Sequence, residues 1–253
     1  MHVASLHRYP VKGLSPEALD KVELAAGSFF PGDRILAFEN GRSSFDPAAP
    51  AFQPKTRFLM LMKNARLAEL VSRFDDETQS LSLWHGGREM ARGDIVSQEG
   101  RAALESFLQD FCKGETRGPV RLLQAPDGFR FTDSIRSGFV SILNMASVRD
   151  LEQRMGAPVD PLRFRANIAV EGWEPWREED MVGKRLMIGG AQLRVLKTID
   201  RCPATHVDPV TGCRDLDIMQ TLQGAFGRIS CGIYAGVKIG GAIALRDPVG
   251  VEA

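Results

Sequence analysis

The stretch "DRCPATHVDPVTGCRD", residues 200–215, places a cysteine beside an arginine and follows it with a rigid turn. Pro203 removes a ladder donor directly after Cys202, so a strand arriving at the cysteine must end or bend there. In "DPVTG", Asp208 can accept from nearby backbone amides, Pro209 fixes φ and Gly212 accepts a left-handed conformation. A thiol at a strand end, beside a fixed loop and a cation, suits a thiolate used for chemistry or for metal binding. Packed thiol, zinc ligand, nucleophile and anchor for a heavier metal all stay open at this level. Cys202, His206 and Cys213 share the segment, but the paired spacings of structural zinc sites are absent. The other cysteines, Cys112, Cys213 and Cys231, read as small buried hydrophobes.

Outward from this segment the chain is a succession of short apolar runs bounded by Gly, Pro, Asp or Asn, which read as strands. "HVASLHRYPV", "RILAFE", "RFLMLM", "VRLLQA", "FVSILN", "NIAVEG" and "GIYAGVKI" are of this kind. Gly86-Gly87 and Gly189-Gly190 punctuate two expected hairpins. Helices are fewer. "ARLAELVSRF" spaces Leu67, Leu70, Val71 and Phe74 as one helical face, and "SQEGRAALESFLQDF" opens on Ser97 as a cap. Ser147 is expected to cap "VRDLEQRM", and "LDIMQTLQGAFG" forms a further helix ended by glycine. The fold class expected is mainly β or α+β, with a barrel as its principal element. The polar, Gly-bearing stretch at 112–120 divides the chain into residues 1–115 and 116–250.

Hydrophobic residues make up 43% of the 253 positions, ordinary for a globular protein, and 32 basic residues balance 32 acidic ones. That balance argues against a nucleic-acid partner, which needs a basic excess. No apolar run approaches the ~20 residues of a membrane span, and the N-terminus lacks a signal-peptide pattern. Four cysteines are too few for a disulfide scaffold, so a cytoplasmic, reduced setting is expected.

Four segments in order resemble the MOSC family, named for the C-terminal domain of molybdenum cofactor sulfurases. "LHRYPVKGL" and "PGDRILAFE" look like the family's N-terminal β-barrel module, while "DPLRFRANIAVEG" and "RCPATHVDPVTG" look like its two MOSC signatures. The likeness is greatest to the two-part members that include the mitochondrial amidoxime-reducing component. It implies a MOSC β-barrel with a smaller N-terminal β-barrel-like module and a few peripheral helices. By resemblance, Cys202 is the molybdenum ligand or the sulfur-handling residue. Lys12, Gly13, Arg34, Ser137, Arg165, Asn167, Arg201 and Asp208 then surround a phosphorylated, molybdopterin-type cofactor. Arginine suits such an anion because its planar fork pairs with phosphate and keeps its proton.

The resemblance implies an oxidoreductase that removes oxygen from a small N-hydroxylated or N-oxide substrate, with electrons from a separate protein. It also admits a sulfur carrier using a Cys202 persulfide, loaded by a separate pyridoxal-phosphate desulfurase, or a cofactor-binding protein without turnover. Three positions depart from the amidoxime-reducing pattern. Gly13 stands where a Ser usually follows the lysine, Ser137-Gly138 replaces a hydroxyl pair, and Asp200 replaces a small hydroxyl residue. Trp173 and Trp176 are expected to cover the barrel end, His206 to bond backbone, and Lys55 and Arg57 to lie near the cofactor face.

Overall fold

The computed structural model describes residues 1–41, 45–134 and 138–252. Among them are fifteen strands and three α-helices. The first strands are β1 (His2–Arg8), β2 (Glu17–Leu19), β3 (Lys21–Leu24) and β4 (Leu36–Asn40). A meander of β5 (Leu70–Asp75), β6 (Ser80–His85) and β7 (Arg88–Asp94) leads into helix α1 (Gln98–Phe111). Then follow β8 (Val120–Gln124), β9 (Val140–Asn144), α2 (Met145–Met155), β10 (Ile168–Glu171) and β11 (Arg185–Ile188). The last elements are β12 (Ala191–Asp200), α3 (Ile218–Phe226), β13 (Ser230–Ile239), β14 (Gly241–Ala244) and β15 (Val249–Glu252).

Eight strands form one curled sheet in the order β15-β11-β12-β13-β9-β10-β1-β2. Only β9 and β10 pair in parallel, across the α2 crossover. The curl brings distant strands together: Val3 N donates to Asp247 O at 2.9 Å and Val249 N to Met1 O at 3.1 Å. The result is a half-barrel. Period-2 alternation fills it, with Leu193 and Val195 inward on β12 and Arg194 outward. Strands from both sides of residue 115 share sheets, since β1 and β2 lie in the large sheet and β8 pairs with β4.

A second core joins the meander, the β4–β8 pair and α1 through Leu36, Phe38, Leu70, Leu81, Leu104 and Leu122. Ser97 caps α1 as expected, accepting from Gly100 N at 3.0 Å. Gly86 and Gly87 both turn at positive φ between β6 and β7. Helix α3 ends on left-handed Gly227.

Three local expectations fail. Residues 65–69 form only a short 3-10 turn, and 70–75 are strand β5, buried at Leu70, Ser72 and Phe74. Pairing with β6 and a bond from Phe74 N to Glu17 Oε1 at 2.6 Å override the helical spacing. "RFLMLM" forms no named strand: Leu59 N bonds Phe38 O at 2.8 Å, and the chain then turns, with Lys63 N on Met60 O. Asn144, not Ser147, caps α2.

Ser147 serves a buried carboxylate instead. Glu178 has no exposed surface and accepts from Ser147 Oγ at 2.8 and 2.9 Å and from Asn144 Nδ2 at 2.7 Å. Burial raises its pKa above the ordinary carboxylate value, and these bonds oppose the shift without cancelling it. Between the unfolded and folded values the native state holds more protons than the unfolded one, so stability falls as pH rises. Glu178→Gln is therefore expected to raise the melting temperature by a few degrees at neutral pH. The gain should vanish below the ordinary value of 4.5. Thermal unfolding of both proteins across this range checks it; a gain that persists in acid would contradict the assignment.

No helix among the described residues is long and apolar enough to cross a membrane.

Candidate functional site

The site is built where β1 leaves the half-barrel and crosses to the second core. Pro10 O accepts from Leu36 N at 2.9 Å and Lys12 N donates to Leu36 O at 2.8 Å, which lays this crossing against the start of β4. Gly13 follows at φ 84°, where an added Cβ would lie 3.0 Å from Leu59 O. A serine there would be strained and crowded, so any contribution from this position to a ligand is made by backbone.

Tyr9, fully buried, packs against two arginines. The Arg34 guanidinium lies 5.1 Å and the Arg165 guanidinium 4.3 Å from its ring centre. Both arginines have φ 51°, a left-handed conformation that is costly for residues with a Cβ. Tyr9 O accepts from Arg34 N at 2.7 Å, and Arg34 Nη2 donates to Arg165 O at 3.1 Å. The Arg34 side chain also pairs with Asp33. Burial works against the Arg34 charge, but the Asp33 carboxylate outweighs it and moves the pKa up.

Arg165 lacks such a partner. Its Nη1 donates to Leu14 O at 2.7 Å, whereas Nη2 is buried with no hydrogen-bond partner among the described residues. Burial, with Arg34 adding to it, pulls the guanidinium down to about 10, so it remains cationic at neutral pH.

Strand β12 carries the chain to Cys202. Register shifts between Val195 and Lys197 and between Thr198 and Asp200 bend it before it ends. Arg201 is buried in the wall, donating from Nε to Cys231 O at 2.6 Å and from Nη1 to Phe164 O at 2.8 Å. Gly232 makes room: a Cβ there would lie 2.9 Å from Arg201 Nη2. Cys202 is half-buried and its carbonyl accepts from Thr205 N at 3.0 Å. The expected turn follows, with Asp208 Oδ1 accepting from Thr211 N at 2.7 Å and Gly212 at φ 69°.

One cavity of about 290 Å³ gathers Lys12, Gly13, Arg34, Arg165, Arg201 and Cys202. Its wall holds seven lysines and arginines but two aspartates. Met60, Leu61, Met62, Phe139 and Ile199 supply an apolar side. Lys55 is on the wall; Arg57, Trp173 and Trp176 are not. Trp173 lies in the half-barrel core, and Trp176 packs on Phe226 at 4.3 Å.

Two expected ligand contacts have other places. Asn167 is buried, its Oδ1 accepting from Ser141 Oγ at 2.8 Å and its Nδ2 donating to His7 O at 3.2 Å. Asp208 holds the turn and pairs with Arg163 Nη2 at 3.1 Å. Each supports a wall residue without itself reaching the wall. Ser137 lies outside the described residues.

Arg163 was missed by the motif reading; it staples the Cys202 loop through Asp208, Asp215 at 2.8 Å and His206 O at 3.1 Å. Tyr234, Lys197 and Asp133, also on the wall, carried no sequence signal.

The other cysteines differ from Cys202. Burial pushes the Cys112 and Cys231 thiols up to about 12. Cys213 is exposed, contrary to its expected burial, because the turn after Asp208 faces outward. His206 accepts weakly from Met219 N at 3.4 Å. Among the described residues, no three His, Cys, Asp or Glu cluster as a metal-ion set.

Residues 136–250 match the family model of the MOSC domain. Over that segment the chain is similar to a MOSC domain. This segment contributes Arg165, Arg201 and Cys202 to the cavity, and the residues before it contribute Lys12 and Arg34. The chain is 36% identical to the mitochondrial amidoxime-reducing component 1 of Homo sapiens over 97 residues, 37% of this chain and 28% of that protein. It is 26% identical to the molybdenum cofactor sulfurase of Caenorhabditis elegans over 233 residues, 87% of this chain and 31% of that protein. These alignments thus span about a third of the curated relatives' length. Among solved structures, the YUAD protein from Bacillus subtilis superposes with a TM-score of 0.45 at 16% identity, covering 98% of this chain and 93% of that one.

Proposed function

We propose that this MOSC protein binds a pterin-type molybdenum cofactor through Cys202 and reduces N-hydroxylated compounds with electrons from a separate protein. The observation that carries the reading is the meeting, in one cavity, of a half-buried thiol and a buried guanidinium nitrogen that has no partner among the described residues. A phosphorylated pterin fits that wall. Its phosphate offers the acceptor that Arg165 Nη2 lacks, and a soft thiolate suits molybdenum.

Lys12, Arg34 and Arg165 would hold the anionic end, and Cys202 would ligate the metal. When bound, the cofactor supplies the two-electron redox chemistry. The net reaction takes an N–OH group, two electrons and two protons to an N–H group and water. The protein's part is positioning and charge balance. Arg163 holds the Cys202 loop through His206 O and Arg201 ties the residue before Cys202 to Phe164 O, while Met60, Met62 and Phe139 supply an apolar side of the cavity.

Protein expressed in a cofactor-competent host is expected to hold near-stoichiometric molybdenum and to reduce a hydroxylamine or an amidoxime with an artificial electron donor. Absence of metal would defeat the proposal. The similarity to a cofactor sulfurase over 87% of the chain favours a second reading, in which Cys202 carries a persulfide. A persulfide found by mass spectrometry on metal-free protein, with no molybdenum bound in the competent host, would select it.

A further inference from the structure

We infer that the Asp133 carboxylate is an internal counter-ion standing in the place of a ligand's phosphate, and that a dianionic phosphate enters this cavity by displacing it. The inference rests on the anion-binding part of the proposal above and not on the metal.

Asp133 addresses two lysines at once. Its Oδ1 pairs with Lys12 Nζ, and its Oδ2 lies 3.9 Å from Lys55 Nζ. All three residues line the same cavity as Arg165 and Cys202. One carboxylate between two ammonium groups matches the bridging that a phosphate provides, with less charge and fewer acceptor oxygens.

The two partners of the buried contact are held differently. The Lys12 side chain is 8% exposed, donates also to Phe131 O at 3.0 Å and lies 5.8 Å from the Phe58 ring centre. The Asp133 side chain is 44% exposed. Lys12 is therefore fixed, and Asp133 is the group that can leave. Phe131 anchors the preceding chain through a bond from its N to Arg34 O at 3.0 Å and through ring contacts with Phe58 and Phe45 at 5.3 and 5.1 Å.

Charge gives the direction of exchange. Arg165 has no carboxylate partner among the described residues, so Asp133 balances this corner only in part. A dianion reaching Lys12 and Arg165 together makes more charge-assisted bonds than the carboxylate it replaces. Asp133 also keeps Lys12 ready: burial pulls the ammonium pKa down, Arg34 and Arg165 add to that, and the carboxylate opposes it.

The test is titration calorimetry of metal-free protein with inorganic phosphate at about pH 8, where the phosphate is mainly the dianion and an ordinary lysine stays protonated. Asp133→Asn is expected to tighten phosphate binding about tenfold, the scale of one removed competing ion pair. Asp133→Glu, which restores the competitor, should keep the native affinity. Lys12→Met should abolish binding in both the native and the Asp133→Asn backgrounds. Unchanged or weaker binding by Asp133→Asn, with an unfolding transition like that of the native chain, overturns the inference. If Asp133→Asn fails to fold, Asp133→Ala and the Asp133→Glu and Lys12→Met comparisons decide, and native-like phosphate binding by Lys12→Met overturns it.

A second arm separates free phosphate from phosphate carried by a pterin. Asp133→Asn made in a cofactor-competent host should retain at least the native molybdenum content, and a loss of metal would overturn the inference. Absence of molybdenum from the native protein would sink the proposed function and leave the phosphate titration to decide this one.

Discussion

If the proposed function holds, replacing Cys202 by alanine is expected to strip molybdenum from protein made in a cofactor-competent host and to abolish the proposed reductase turnover with it. Loss of a residue that merely orients a metal ligand weakens metal binding by about 10–100-fold, so removal of the ligand itself should exceed ~100-fold. The other thiols are poor substitutes. Cys112 and Cys231 are buried, and Cys213 is exposed on the turn beyond Asp208. Cys213→Ala is thus the matched control and should retain its metal. Cys202→Ser replaces a soft donor by a hard one and should fall close to alanine. Metal content by elemental analysis is the readout. Full molybdenum in Cys202→Ala would mean that the cavity holds the group through its cations alone, and the ligand role would be withdrawn.

The largest loss of stability is expected from Arg201→Ala. Its guanidinium bonds two buried carbonyls, Cys231 O and Phe164 O, and lies 5.2 Å from the Phe164 ring centre. Alanine leaves both acceptors unpaired, at about 1–3 kcal/mol each. Some of this is offset, because burial disfavours the Arg201 charge and pulls its pKa down. The carbonyls still decide the outcome, since no apolar replacement can bond them. A net loss of about 3 kcal/mol corresponds to a fall of roughly 10 °C in melting temperature for a chain of this size. Arg201→Lys keeps a charge but cannot span both carbonyls, so it should recover only part. A melting temperature within about 2 °C of native for the alanine variant would contradict this account.

How much was legible in the sequence depended on how local each determinant is. The hairpins at Gly86-Gly87 and Gly189-Gly190 and the cap at Ser97 are set by neighbouring residues, and they stand where the sequence placed them. Residues 65–75 misled because Leu67, Leu70, Val71 and Phe74 fit a helical spacing as well as an alternating one. What settles them is pairing with β6 and the distant Glu17 carboxylate. The site followed the same rule. Lys12, Gly13, Arg34, Arg165, Arg201 and Cys202 sit in recognisable motifs and do share one cavity. Asn167 and Asp208 sit in the same motifs but support wall residues from behind, a difference that depends on which way each side chain turns. Tyr234 and Lys197 reach the wall only through the pairing of β12 with β13.

The two left-handed arginines flanking Tyr9 set stability against function at the same positions. Glycine at 34 or 165 would relax the backbone, while erasing a charge from the cavity. Selection for heat resistance alone would drift toward such relaxed variants and return sturdier proteins with a blunted pocket. Persistence of arginine at both positions would therefore mark lineages in which the pocket still has work to perform.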